Sequence, residues 1–161
     1  MLTEIRIDEA LWTAAGDERR REWRLLISEL LEHCPADHVG GEKARLHLAP
    51  CAEGTTVTLE TPEGATSARV VLPSNAMGSH FRAYLDVCHQ MMMLSEGSHS
   101  ARLEALDMAK RVTHDRAAKS LMQLCGPILP DHGTARRFFS LLTSLLFDTS
   151  RMHRGHRVAT D

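Results

Sequence analysis

Lys43-Ala-Arg-Leu-His-Leu48, Thr55-Thr-Val-Thr-Leu-Glu60 and Ser67-Ala-Arg-Val-Val-Leu72 decide the fold of this chain. Each alternates apolar and polar side chains, and the turn Thr61-Pro-Glu-Gly64 separates the last two. Successive side chains on a strand point to opposite faces. Ala44, Leu46 and Leu48 therefore share a face against Arg45 and His47, as Val57 and Leu59 do against threonines. Ala68, Val70 and Leu72 form a third such set. Alternation this regular predicts strands buried on one side and wet on the other, the habit of an antiparallel meander. Pro73, Ser74 and Asn75 end it.

Upstream, Thr3, Ile5 and Ile7 alternate with polar neighbours and predict a short strand. Asp8 caps a brief turn through Leu11 and Trp12, and Gly16 stops it. Asp17 is then placed to cap a long helix to about His33, where Trp23, Leu26, Ile27, Leu30 and Leu31 recur at helical spacing. Arg19-Arg20-Arg21 opposes that helix's dipole, a cost of a few tenths of a kcal/mol that burial of the stripe outweighs. A Pro- and Gly-rich loop, His33 to Gly41, leads to the strands.

Downstream the pattern turns helical. A helix from about Ser79 to Leu94 carries Phe81, Tyr84, Leu85, Cys88 and Met92 as its stripe, and the turn Ser95-Glu-Gly-Ser98 breaks it. Leu103–His114 follows, then a shorter helix from Arg116 to Cys125 closed by Gly126-Pro127. Thr134 caps a last helix to about Asp148, with Phe138, Leu141, Leu142 and Leu145 inward. Strands followed by helices predict an α+β fold. Its small antiparallel β-meander would be covered on one face by the long N-terminal helix and a C-terminal helical bundle. Residues 1–148 are the expected single domain, and 149–161 a flexible C-terminal tail.

The totals narrow the classes. A chain of 161 residues with 43% apolar and 25% charged side chains suits one globular domain. Aromatics are only 4%, so Leu, Val, Ala and eight Met must fill the core, and the Met91-Met92-Met93 run is expected against a partner or an irregular gap. Nineteen basic against 21 acidic residues exert no overall pull on nucleic acid. The runs Arg19–Arg21 and Arg151–Arg157 read as solvated arginines. Cys34, Cys51, Cys88 and Cys125 show no C-x-x-C pairing. The N-terminus lacks a secretory pattern, and no apolar run approaches the ~18–20 residues that span a bilayer. Together these predict a cytoplasmic protein with free thiols and no membrane association.

The chemistry gathers on Leu103–His114. Glu104, Asp107, Arg111 and His114 fall within an arc of roughly 80° on a helix, leaving Leu103, Ala105, Leu106, Ala109 and Val112 for packing. Asp107 and Arg111 make an ordinary i, i+4 pair. Glu104 and His114 stand about 15 Å apart along the axis, too far to act on one atom. Arg136 and Arg137, expected in the first turn of the last helix, are the natural complement. Cations there need facing carboxylates or a bound anion. That leaves a buried Arg–Asp/Glu network or a small-anion pocket. His114 is the candidate general acid/base, with Cys88 a nucleophile only if its thiol meets that imidazole. Cys88 lies on an apolar stripe and reads as a small buried hydrophobe. No phosphate-binding glycine loop, H-E-x-x-H or G-x-S-x-G occurs. His33, Cys34 and His38, with Asp37, form a weak metal-ligand cluster of no standard spacing, so no metal or cofactor is expected. The Met run or Leu145-Leu146-Phe147 offers a homodimer surface.

Leu103-Glu-Ala-Leu-Asp-Met-Ala-Lys-Arg-Val-Thr-His114, Asp131-His-Gly-Thr-Ala-Arg-Arg-Phe-Phe-Ser-Leu141 and Tyr84-Leu-Asp-Val-Cys88 together resemble uncharacterised protein family 0262 (UPF0262), a set of small bacterial proteins. The resemblance runs from about Tyr84 to Phe147. It departs at His89-Gln90-Met91-Met92, where the family tends to be aromatic, at Ala109 in place of a usual glycine, and in the residues that follow the last helix. It implies positions and no activity. The expected function is a non-catalytic cytoplasmic binding or assembly module with an Asp/Arg/His-lined surface. The alternative is a small enzyme using His114 on an anionic substrate held by Arg111 and Arg136 or Arg137.

Overall fold

Ala44, Leu46 and Leu48 are almost wholly buried, as are Val57, Leu59 and Leu72, so the alternating stretches place their apolar faces inward as expected. The computed structural model describes residues 2–34, 43–94, 100–126 and 128–149. Four strands, β1 (Leu2–Ile7), β2 (Ala44–Cys51), β3 (Gly54–Glu60) and β4 (Thr66–Pro73), form one sheet in that order. β2, β3 and β4 are the antiparallel meander. β1 adds a parallel edge, so the sheet is mixed rather than purely antiparallel. The cause is the connection: α1 (Glu9–Ala14) and α2 (Asp17–His33) carry the chain back across before β2 begins, and such a crossover delivers a parallel neighbour. A register irregularity between Leu2 and Glu4 turns Leu2 inward with Ile5, in place of an even Thr3, Ile5, Ile7 row. Gly54 opens β3 because a Cβ there would lie 2.9 Å from the Ser74 amide nitrogen and closer still to the Leu72 carbonyl oxygen.

Strand β4 passes straight into α3 (Ser74–Met92), which starts one turn earlier than its Phe81–Tyr84–Cys88 stripe suggests because Met77 belongs to the same buried row. The two helices expected around Leu103–His114 and Arg116–Cys125 are one, α4 (Ser100–Cys125). No Gly or Pro interrupts it, and Ala117, Ala118, Leu121 and Cys125 carry the buried row onward. α5 (His132–Leu146) occupies the centre, packed between α2 and α4, with Phe138, Phe139, Leu141 and Leu142 essentially inaccessible. One continuous core joins these side chains to the sheet's inner face. The few aromatics concentrate here: the Phe81 and Phe139 rings stack at 5.3 Å, and Tyr84 meets Phe139 edge-on at 5.6 Å. Among the described residues, no helix is long and apolar enough to cross a membrane.

The arginine run is structural. Arg19 Nη2 donates to the Ser144 and Leu145 carbonyls at the C-terminal end of α5, while Arg20 donates to Trp12 and Thr13 carbonyls at the end of α1. Two side chains that oppose the dipole of α2 thus satisfy the orphan acceptors of its neighbours. α5 is capped by Asp131 rather than Thr134: one carboxylate oxygen accepts from the Thr134 amide at 3.0 Å and the other from its hydroxyl at 2.6 Å. Burial pushes the Asp131 pKa up, but these Thr134 bonds, the Gly133 amide and the Arg137 charge outweigh it and leave the net value lowered. Asp131→Ala should therefore cost about 1 kcal/mol in chemical denaturation, the usual worth of such a cap; an unchanged midpoint would contradict the assignment.

Candidate functional site

Because the cap of α5, Asp131, lies three residues before Thr134, Arg136 and Arg137 sit in its second turn rather than its first. Arg136 there reaches across to α4 and pairs with Asp115, the residue immediately after His114. His132 Nε2 approaches the same carboxylate at 3.8 Å, beyond hydrogen-bond range. His114 points into the seam between α4 and α5. Its Nε2 shares a 3.1 Å hydrogen bond with the Ser140 hydroxyl, and its ring lies between Tyr84 (centroids 5.2 Å, near-parallel) and Phe139 (5.3 Å, edge-on). Burial, reinforced by the Arg136 and Lys110 charges, pushes the His114 pKa down to about 4. At neutral pH the imidazole is uncharged.

The polar stripe read from the sequence splits in two. Asp107 and Arg111 pair with each other at 2.9 Å on the outside of α4, with 41% and 66% of their side chains exposed, and Glu104 is exposed as well. The ion pair that Arg136 makes is with Asp115, in place of Asp107 or Glu104. The face that packs is the row Leu106, His114, Ala117, Leu121 and Cys125, while Leu103 and Val112, assigned above to packing, are exposed. The division was phased wrongly because His114 belongs to the buried side despite its polarity. Asp115, His132 and Ser140 were missed. Asp115 fell at the supposed break between two helices, and the only signal for it was its place beside His114, 21 residues before Arg136.

A hydroxyl on an imidazole is two-thirds of a hydrolytic triad, yet among the described residues no carboxylate forms an ion pair with His114. An open groove of about 490 Å³ lies elsewhere, lined by Ile5, Ile7, Trp12, Arg24, Ile27 and Leu31 among others. Cys88 is buried beside Tyr84, and desolvation raises its pKa, which keeps the thiol protonated. Burial does the same to Cys34, and takes Cys125 up to about 12. Of the metal-ligand cluster, His33 is exposed with Nδ1 2.8 Å from the Glu29 carbonyl oxygen. Cys34 is buried, and Asp37 and His38 lie outside the described residues. Among the described residues no group of three or more His, Cys, Asp or Glu side chains is placed to hold a metal.

Comparison with known proteins places this geometry in a family. A UPF0262 protein of Phenylobacterium zucineum is 28% identical over 145 residues, covering 89% of this chain and 91% of the relative. One from Hyphomonas neptunium is 27% identical over 147 residues (89% and 91%), and one from Novosphingobium aromaticivorans 28% over 157 (89% and 94%). No solved structure matches. The family model aligns with residues 1–148, so the likeness extends through the strands as well as the Tyr84–Phe147 helices that first suggested it. The buried seam, the mixed sheet and the capped central helix are therefore those of a member of uncharacterised protein family UPF0262, to which this chain belongs.

Proposed function

We propose that the protein is a non-catalytic binding or assembly module that works in the cytoplasm as a homodimer. One observation carries the reading. The groups a reaction would use are engaged by one another at the α4–α5 seam: His114 with Ser140 and Arg136 with Asp115. Meanwhile large apolar side chains stand in solvent at the C-terminal end of α3 and on α4, with Met92 51%, Met93 73% and Met108 61% exposed. Scattered exposed apolar residues are ordinary; several on neighbouring helices suit a contact with another copy. Asp107 and Arg111 border that surface and supply its charge.

Light scattering across a concentration series tests this. The expected mass approaches twice 17.9 kDa as concentration rises. A monomer throughout would overturn the assembly reading. Phosphate and sulfate added in a thermal-shift series test the small-anion partner separately, since a ligand that binds only the folded state raises its melting temperature. With the arginine–aspartate pair already closed, the expected anion shift is small.

A further inference from the structure

The first half of α4 carries a second helical seam, on the side away from α3 and α5. Ala101, Ala105, Met108 and Val112 follow at steps of four, three and four, and all four are exposed. That is the spacing of a coiled-coil stripe. At about 100° per residue the buried row of α4 fills an arc of roughly 120°, and this second seam fills about 60° beginning some 80° further round. Glu104 and Arg111 flank it on one side, exactly one heptad apart, and Arg102 and Ala109 flank it on the other.

Resting on the assembly reading above, we propose that this seam is the dimer interface, with the two α4 helices antiparallel about a two-fold axis between residues 106 and 107. In that register Ala105 meets the partner subunit's Met108, and Ala101 meets the partner subunit's Val112. The two-fold repeats both contacts in reverse. Every layer then sets a small side chain against a large one, as close packing requires. The flanks agree. Residues on the same flank face each other in an antiparallel pair, so each Glu104 lies beside the partner subunit's Arg111. A parallel pair would instead stack Met108 on its own copy and bring Arg111 against the partner subunit's Arg116. Arg111 already bonds Asp107 on its own helix, and the exposed guanidinium fork retains donors for a second carboxylate.

Charge reversal tests the register on the full-length protein. Glu104→Arg and Arg111→Glu, each alone, set like charges together at two symmetric contacts and should each raise the dimer dissociation constant about tenfold or more. The double variant exchanges the charges and should recover to within about threefold of the parent. Met108→Glu should abolish dimerisation. All three positions are exposed, so circular-dichroism spectra of the variants should match the parent and confirm folding, while their melting temperatures fall only by what the lost dimer contributed. If the parent dimerises and none of these variants changes its dissociation constant, the α4 seam is wrong while the assembly reading stands. Single variants that weaken the dimer without recovery in the double overturn the antiparallel register. A parent that stays monomeric removes both.

Discussion

Trp23→Ala is expected to lower the unfolding free energy by about 3–5 kcal/mol, a large part of the 5–15 kcal/mol that holds a typical domain together. Trp23 is wholly buried on α2, where it meets α5. Its Nε1 donates to the Ser144 carbonyl at 3.0 Å, and its ring lies 5.9 Å from that of Trp12 and under the Arg19 guanidinium at 5.1 Å. Truncation leaves a cavity that rigid neighbours fill only in part. The Ser144 carbonyl keeps its bond from Arg19, so the loss is chiefly one of packing. Trp23→Phe retains most of the volume and should cost about half as much or less. Urea unfolding measures both. A Trp23→Ala variant within about 1 kcal/mol of the parent would mean that α2 does not anchor the core.

Acidification should destabilise the fold through His114. Its pKa is about 4 when folded, because burial and then the Arg136 and Lys110 charges disfavour the imidazolium, against 6.5 for the free side chain. Above pH 6.5 the ring is neutral in both states and contributes no slope. Between 6.5 and 4 the unfolded chain binds a proton that the folded chain refuses, so stability falls as the pH falls. Integrated over that window the loss is about 3 kcal/mol. His114→Gln keeps a polar partner near Ser140 and removes the titration. Subtracting its stability–pH curve from the parent's isolates this ring from the carboxylates that titrate nearby. Equal slopes for parent and variant between pH 6.5 and 4 would show that the imidazole is not buried as described.

The strands were legible because period-two alternation reports directly on which face is buried; Leu46, Leu48, Val57 and Leu72 needed nothing more. Direction is not written in that pattern. Leu2–Ile7 reads alike whether it runs parallel or antiparallel to β2, and only the course of α1 and α2 across the sheet decides. The length of α4 was hidden for another reason: its one buried row, from Leu106 to Cys125, passes through His114, whose polarity makes the stripe look broken there. The site was half visible. His114 and Arg136 do converge on one seam, but Asp115 supplies the carboxylate, and an imidazole held between Tyr84 and Phe139 looks polar in sequence while it behaves as core. Thr134 resembles a cap as much as Asp131 does, and only the geometry shows which oxygen faces the free amide.

The helix at the centre is also the last of the described helices to be made. Trp23 finds the carbonyl that receives its N–H 121 residues later in the chain, so at ribosomal speeds of ~5–20 residues per second its apolar stripe waits roughly 6–24 s for a socket. Through that interval the sheet can pair, but α2 can close only on β1 and α1, not on the helix that covers Trp23. A nascent chain halted ahead of α5 is therefore not a smaller domain; it is a greasy helix on an open sheet, ready prey for proteases and chaperones.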